Sequence, residues 1–209
     1  MENIQKYFSD FSVEQLRQFS ALHDLFKAWN EKINVISRKD IDNFYTNHVL
    51  HSLAIATQFN FTKNMKVMDL GAGGGFPGIP LAIFFPEAQF TLVDSINKKL
   101  KVVQEISSAI GLTNVVVKHT RAEDIKNEKF DVVVSRAVAP LKELWQWSKP
   151  LVTKNKNVEM PVPNGLICLK GGDLTQEIFE SGCKPFVWEI EKIFTEGYFD
   201  KKYMLYQKI

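Results

Sequence analysis

The sequence contains little cysteine and little histidine. Two cysteines and four histidines occur among its 209 residues. Cys168 lies in an apolar run and is expected to be a buried thiol, and two cysteines so far apart match no zinc pattern. His48 and His51 are spaced to share a helix face, but they lack a third ligand. The sequence therefore predicts neither a disulfide framework nor a metal site.

Long hydrophobic runs and an excess of charge of either sign are also missing. The longest nearly unbroken apolar run covers residues 79–85, whereas a membrane-spanning helix needs about 20 residues. No secretory signal is recognisable at the amino terminus, so we expect a cytoplasmic protein that makes no contact with a membrane. The 26 basic side chains nearly balance the 24 acidic ones, for a net charge of +2. Any surface that binds nucleic acid must therefore be local.

The composition is that of a folded globular domain. Hydrophobic residues make up 45% of the chain and charged residues 24%, close to the averages for soluble domains. A helical periodicity runs over residues 12–32, with Ser12 and Gln15 set as a capping box. A second helical pattern covers residues 40–59. Two helices thus precede any strand.

Short β-rich runs alternate with helical stretches in the rest of the chain. The helical stretches cover residues 79–85, 96–110, 141–147 and 174–180. Strands that alternate with helices predict a parallel sheet with right-handed crossovers. The β-rich runs are residues 66–70, 90–93, 114–118, 130–134 and 165–169.

Two further strand-like segments, residues 185–194 and 202–209, come near the carboxyl terminus. The short join at Glu196-Gly197-Tyr198 predicts that they form an antiparallel hairpin at the sheet edge. We therefore expect an α/β fold of the Rossmann-like type, with a seven-stranded, mostly parallel sheet and amino-terminal helices. Residues 1–62 are expected to form a helical cap on a larger unit of residues 63–209, the two packed as one compact body.

A glycine-rich turn between the first strand and the next helix is the most informative segment. Its glycines allow sharp turns and let a ligand approach the backbone closely. Residues 73–78 fit the G-x-G-x-x-G pattern of dinucleotide sites, a pattern of low specificity. However, Asp69 precedes Gly71 by two places, where a carboxylate would repel a pyrophosphate but suits the ammonium and sulfonium region of S-adenosylmethionine. We therefore expect Asp69, Gly71 and Gly73 to bind that cofactor.

Further polar side chains follow the other predicted strands. Asp94 ends the second strand, where an acid can accept hydrogen bonds from both hydroxyls of a ribose. Arg121, Ala122 and Glu123 follow the third strand, in the crevice where an adenine would lie. Arg136 follows the fourth. Because the carboxyl ends of parallel strands meet at one edge of a sheet, we expect these residues to lie close together.

Basic side chains accumulate at the same edge. Lys98 and Lys99 come just beyond the end of the second strand, and Arg121, Arg136 and Lys170 follow the third, fourth and fifth strands. Such a cationic rim suits a phosphate-rich substrate.

Five segments of the chain together resemble one family. They are Trp29-Asn30-Glu31-Lys32-Ile33-Asn34, His48-Val49-Leu50-His51-Ser52-Leu53, Phe76-Pro77-Gly78-Ile79-Pro80, Ser135-Arg136-Ala137 and Leu169-Lys170-Gly171. These segments are similar to the RsmG family, also called glucose-inhibited division protein B. The resemblance spans residues 25–172.

The resemblance implies a class I methyltransferase fold and a specific reaction. The reaction is methylation, by S-adenosylmethionine, of N7 of one guanine in the decoding-region hairpin of 16S ribosomal RNA in the small subunit. The residues that it implies for the cofactor pocket are Gly71, Phe76, Ala122, Glu123 and Arg136. The residues that it implies for RNA contact are Lys98, Arg121, Arg136 and Lys170.

This chain departs from the family pattern in two places. His51 stands where the family usually has an acid, and residues 153–164 form a longer approach to the last parallel strand than is usual. The first departure leaves the role of that position open. The second could alter RNA contacts, and we expect this stretch to be an exposed loop.

Methylation of guanine N7 agrees with the small number of candidate catalytic groups. N7 carries an unprotonated lone pair at neutral pH, so the reaction needs alignment of the reacting atoms and no general base. Arg136 is therefore expected to position the substrate, in an enzyme that acts as a monomer. Two alternatives stay open: a nicotinamide-dependent oxidoreductase and a non-catalytic ribosome-assembly protein. Asp69 argues against the oxidoreductase, whose loops usually carry an apolar residue at that place.

Overall fold

The computed structural model describes residues 1–136, 138–154 and 164–209, and only the backbone of Arg38. Most of the expected loop at residues 153–164 lies outside the described residues. No described helix is both long enough and apolar enough to cross a membrane.

The chain begins with two helices, α1 (Glu2–Gln5) and α2 (Val13–Asn30). The predicted capping box starts α2: Ser12 Oγ accepts from the Gln15 backbone N–H, and the Gln15 side chain accepts from the Ser12 N–H. These two bonds satisfy N–H groups that have no partner within the helix. The predicted helix and its capping box are confirmed, and the helix ends at Asn30, two residues before the predicted end.

The second predicted helix, residues 40–59, is present as helical backbone from residue 44 to residue 57, but its hydrogen-bond pattern changes along its length. A 3₁₀ turn at Arg38–Asp40 is followed by a π-helical turn at Tyr45–Leu50. Helix α3 (His51–Leu53) and a 3₁₀ turn at Ile55–Thr57 complete the segment. The prediction of a helix is therefore confirmed over most of its length, and the π-helical turn within it is a feature that the residue spacing did not predict.

The strands and the remaining helices alternate as predicted. The strands are β1 (Lys66–Leu70), β2 (Gln89–Asp94), β3 (Val115–His119), β4 (Val132–Arg136), β5 (Gly165–Gly171), β6 (Phe186–Glu189) and β7 (Lys202–Lys208). The helices are α4 (Gly78–Phe84), α5 (Asn97–Ala109), α6 (Leu141–Ser148) and α7 (Thr175–Ser181).

The described strands form one sheet in the order β3-β2-β1-β4-β5-β7-β6. Strands β1 to β5 are parallel, and β7 runs antiparallel to both β5 and β6. The mostly parallel seven-stranded sheet and its antiparallel carboxyl-terminal pair are confirmed. The direction of strand order reverses at β1, which opens a crevice at the carboxyl ends of β1 and β4.

The join between β6 and β7 is longer than predicted. Strand β6 ends at Glu189, and residues 190–201 contain two 3₁₀ turns instead of a tight hairpin turn. Ile190, Phe194 and Phe199 in this join are almost fully buried. Their burial draws the join onto the core, because leaving three large apolar side chains in water is unfavourable.

The predicted boundary between cap and main unit is crossed by one buried apolar cluster. Phe26 of α2 packs against Phe76 of the glycine-rich turn, with ring centroids 4.9 Å apart. Leu22 of α2 and Val103 of α5 belong to the same cluster. The division at residue 62 stays a prediction, and this cluster supports the expectation of one compact body.

Candidate active site

A cleft opens where the carboxyl ends of strands β1 to β4 meet. Its volume is about 630 Å³, which lies within the usual range for small-molecule sites. It lies at the reversal of strand order, the place where open α/β sheets bind ligands. The predicted site residues that line it are Gly71, Gly73, Phe76, Asp94, Arg121, Ala122, Glu123 and Arg136.

The glycine-rich turn forms the floor of the cleft. Gly71 and Gly73 have φ values of +70° and +54°, in the left-handed region that disfavours other residues. A Cβ on Gly71 would come within 2.5 Å of the Val138 side chain. The Gly71 and Ala72 N–H groups both donate to the Val93 carbonyl at 2.9 Å. The turn is thus hydrogen-bonded to β2, and its glycines line the cleft without side chains.

Asp94 holds the turn as well as lining the cleft. Its Oδ2 accepts from the Gly73 N–H and its Oδ1 from the Ile96 N–H, both at 2.8 Å. Each carboxylate oxygen has a second lone pair, so Asp94 can still accept hydrogen bonds from a ligand. Sequence reasoning predicted the ligand role and missed the contact with the turn.

Asp69 lies behind the turn and is fully buried. Its Oδ2 accepts from the Gly78 N–H at the start of α4, at 2.8 Å. Burial raises the pKa of Asp69 to about 7, against the opposing effects of the Gly78 bond and the Arg136 charge. Asp69 is not among the residues lining the cleft, so its contact with a cofactor stays a prediction. Its observed role is to tie the end of β1 to the start of α4, across the glycine-rich turn.

Arg136 extends from the end of β4 into the wall of the cleft. Its Nη1 donates to the Asn47 carbonyl at 3.2 Å, and its Nη2 donates to His48 Nδ1 at 2.9 Å. The guanidinium carbon lies 5.0 Å from the centroid of the Phe76 ring, a distance typical of a cation–π contact. Desolvation lowers the pKa of Arg136, but an arginine stays charged in a protein. A fixed cation therefore faces the cleft.

The segment after β3 forms the opposite end of the cleft. Ala122 is buried, while Arg121 and Glu123 are exposed, and a 3₁₀ turn at Ala122–Asp124 holds them there. These residues line the same cleft as Asp94, so the prediction that they lie close together is confirmed. Their contact with an adenine stays a prediction.

The predicted cationic rim is only partly present. Lys98 is exposed near the start of α5, and its neighbour Lys99 lines the cleft. Lys170, in contrast, has only 8% of its side chain exposed and pairs with Glu177 of α7 at 2.7 Å. It also donates to the Ala139 carbonyl. The expectation that Lys170 stands at an open rim is wrong, because α7 packs an acid over it, and its contact with RNA stays a prediction.

The amino-terminal segment contributes one wall of the cleft, through residues that sequence reasoning did not assign to the site. Val35, Ile36 and His48 line the cleft. Asn30 Oδ1 accepts from the N–H groups of Val35 and Ile36, at 2.8 and 3.1 Å. A Cβ on Gly74 would come within 3.0 Å of the Val35 carbonyl. The cap is therefore in direct contact with the glycine-rich turn.

Among residues 1–136, 138–154 and 164–209, no three or more His, Cys, Asp or Glu side chains are grouped as a metal site requires.

The strand order and the glycine-rich turn define the class I methyltransferase fold. A crystal structure of an S-adenosylmethionine-dependent methyltransferase from Aquifex aeolicus superposes with a TM-score of 0.55 at 16% identity. The superposition covers 82% of this chain and 98% of that one.

The particular family follows from the sequence comparisons. A family model described as rRNA small subunit methyltransferase G (GidB) matches residues 15–199. A protein of Phocaeicola vulgatus named "Ribosomal RNA small subunit methyltransferase G" is 56% identical over 100% of this chain and 99% of its own length. A protein of the same name from Bacteroides thetaiotaomicron is 53% identical over the whole of both chains. The chain belongs to this family, as its resemblance to the RsmG family predicted.

Proposed function

We propose that the protein transfers the methyl group of S-adenosylmethionine to N7 of a guanine in the decoding-region hairpin of 16S ribosomal RNA. The observation that carries the proposal is the arrangement of one cleft. The glycine-rich turn, Asp94 and Arg136 all line it. Relatives that match this chain from end to end are named for methylation of small-subunit ribosomal RNA.

The residues of the cleft fit S-adenosylmethionine. Among the described residues, only the Gly71 carbonyl oxygen lies near the position of a Cβ on Gly73, at 3.9 Å, so a ligand can reach the backbone there. The Asp94 carboxylate suits ribose hydroxyls, and the buried Ala122 and exposed Glu123 suit the adenosine end. When bound in this cleft, which Phe76 also lines, the cofactor would supply an electrophilic methyl group.

The acceptor chemistry requires no proton transfer. A bond forms between guanine N7 and the methyl carbon while the carbon–sulfur bond breaks, and the electron pair of that bond stays on sulfur. The guanine becomes a cation and S-adenosylhomocysteine is released. The two buried histidines near Arg136 agree with this chemistry, because burial lowers the pKa of His48 to about 3 and that of His51 well below 6.5.

Arg136 orients the guanine. Its planar guanidinium can donate to guanine O6, the oxygen beside N7, or to a neighbouring phosphate. The exposed Lys98 and Arg121 bind phosphates of the RNA on either side, and Lys170 contributes only if its pair with Glu177 opens. The enzyme acts as a monomer in the cytoplasm, on 16S RNA or the small subunit.

The test uses small ribosomal subunits from cells that lack the gene. Incubation with the enzyme and S-adenosylmethionine, followed by nuclease digestion and mass spectrometry, is expected to show a gain of 7-methylguanosine in the decoding-region fragment. The Arg136→Ala variant should give none at ordinary substrate concentrations.

Calorimetry with the candidate ligands distinguishes the proposed function from the two alternatives. S-adenosylmethionine and S-adenosylhomocysteine should bind and NADH should not. Binding of NADH alone would identify an oxidoreductase, and tight subunit binding without methylation would identify an assembly protein.

A further inference from the structure

A chain of polar groups joins the amino-terminal cap, the end of β4 and the join between β6 and β7. The Asn47 carbonyl accepts both from Arg136 Nη1 and from the Tyr198 hydroxyl, each at 3.2 Å. Beside it, His48 Nδ1 lies 2.9 Å from Arg136 Nη2. Both acceptors belong to the π-helical turn at Tyr45–Leu50, a geometry that is frequent at functional sites.

The direction of the bond between Arg136 and His48 is determined by chemistry. A guanidinium has five N–H donors and no acceptor, so His48 Nδ1 must accept and its proton must be on Nε2. His48 is only 8% exposed, and burial together with the Arg136 charge lowers its pKa to about 3. The imidazole is therefore neutral and holds one tautomer.

The charged groups around His48 do not change this assignment. Asp40 Oδ2, from the preceding 3₁₀ turn, is 3.7 Å from His48 Nε2, which is too long for a hydrogen bond. Tyr198 from the β6–β7 join reaches the Asn47 carbonyl and lies 3.4 Å from His51 Nδ1.

We propose that His48 is a positioning residue for methyl transfer, which holds the Arg136 guanidinium in the plane that presents its remaining donors to the guanine. The inference rests on the proposed function. The Arg136 guanidinium is held at Nη1 by the Asn47 carbonyl and at Nη2 by His48. Phe76 packs against one face of it. The centroid of the Phe76 ring is also 5.0 Å from that of the His48 ring. The structure shows no further acceptor for this guanidinium among the described residues.

A general-base role for His48 does not fit the same observations. The Nδ1 lone pair is already occupied by Arg136. The N7 lone pair of guanine also has no proton to give up. The contribution of His48 is therefore orientation, and displacement of an orienting group by about 1 Å can reduce a rate by about 100-fold.

Two substitutions separate the hydrogen bond from the volume of the ring. His48→Leu fills the space without an acceptor, whereas the Oδ1 of His48→Asn can accept near the position of Nδ1. In single-turnover methylation at saturating RNA, we expect His48→Leu to lower the transfer rate constant by about 10–100-fold. His48→Asn should recover most of the rate. S-adenosylmethionine affinity, measured by calorimetry, should stay within several-fold in both.

His51→Leu is the matched control. His51 lies three residues later, is similarly buried, and is not among the residues that line the cleft. Its substitution should leave the transfer rate constant within several-fold. The transfer rate constant should also have the same pH dependence near pH 6.5 in the wild type and in His48→Leu, because His48 stays neutral there.

A second measurement is independent of activity and of the folding of any His48 variant. In the ¹⁵N NMR spectrum of the wild-type protein, His48 should appear as the neutral tautomer protonated at Nε2, and Arg136→Ala should shift its Nδ1 resonance. A full transfer rate in His48→Leu, no recovery in His48→Asn, or an Nδ1-protonated ring would each overturn the inference. An inactive wild-type enzyme with the expected NMR signature would instead contradict the proposed function.

Discussion

At the scale of single residues, Asp94 combines two tasks at the end of β2. Its two oxygens hold the N–H groups of Gly73 and Ile96, so the same carboxylate that suits a ribose also keeps the glycine-rich turn in place. Loss of this side chain would remove both the hydrogen bonds to the ribose and the bonds that hold the turn.

Asp94→Ala should therefore weaken binding of S-adenosylmethionine. We expect the dissociation constant from calorimetry to rise about 10–150-fold, which corresponds to ~1.5–3 kcal/mol. Asp124→Ala removes an exposed acid that is not among the residues lining the cleft and should leave affinity unchanged. Equal affinities in the wild type and Asp94→Ala would place the cofactor elsewhere.

Asp69 makes stability depend on pH in the direction opposite to most acids. Burial raises its pKa from 3.8 to about 7, so between these values the folded state binds more protons than the unfolded state. Its contribution to the free energy of unfolding is fully present below about pH 4 and is lost as the pH rises toward 7. Asp69→Asn keeps an oxygen for the Gly78 N–H and removes this titration.

We expect the free energy of unfolding of Asp69→Asn, relative to the wild type, to increase by roughly 1–4 kcal/mol between about pH 4 and pH 8. Urea denaturation at several pH values measures it. Burial lowers the pKa values of His48 and His51, so both histidines destabilise the folded protein as the pH falls below 6.5. This effect is the same in the wild type and in Asp69→Asn, so the difference between the two proteins reports on Asp69 alone. A difference that does not change with pH would contradict the raised pKa.

At the scale of elements, the end of α2 builds one wall of the cleft. Asn30 is the last residue of α2, and it turns the chain back by accepting from two successive N–H groups, those of Val35 and Ile36. The wall then packs against the glycine-rich turn at Gly74. Helix and turn thus support each other across the predicted boundary at residue 62.

Asn30→Ala leaves those two N–H groups without their acceptor, and Asn30 itself is only 5% exposed. We expect the free energy of unfolding in urea to fall by about 1–3 kcal/mol. Asn34→Ala, at an exposed position of the same segment, should have little effect. Equal losses in the two variants would show that the wall does not depend on the Asn30 contacts.

At the scale of the whole molecule, a net charge of +2 must be distributed unevenly if the protein is to bind RNA. The structure leaves Lys98 and Arg121 exposed near the cleft and buries Lys170 against Glu177. The first two are therefore the better test of RNA contact, since Lys170→Ala would also break an ion pair and disturb α7.

The double variant Lys98→Ala/Arg121→Ala should raise the KM for RNA and reduce the salt dependence of log KM by roughly 0.7 per lost contact. The matched control is Lys63→Ala/Lys66→Ala, which removes the same charge at the amino end of β1, on the opposite edge of the sheet. If the control flattens the salt dependence as much as the test pair, RNA docks on a different surface.

The sequence alone determined the α/β class, the five parallel strands and the position of the cleft. These features are local: a strand, a helix and a glycine turn are each encoded in a few neighbouring residues. The parallel arrangement then brings Gly71, Asp94 and Arg136 to one edge without any knowledge of side-chain packing.

Only the tertiary structure decided which side chains are free and which are engaged. Arg136 and His48 are 88 positions apart in the chain, and Lys170 is neutralised by an acid on a helix whose docking no local pattern specifies. The path of the join after β6 is likewise determined by the burial of Phe194 and Phe199. The glycine on which the predicted short turn was based does not determine it. Such contacts depend on how whole elements pack, because burial and pairing energies are set by non-local neighbours.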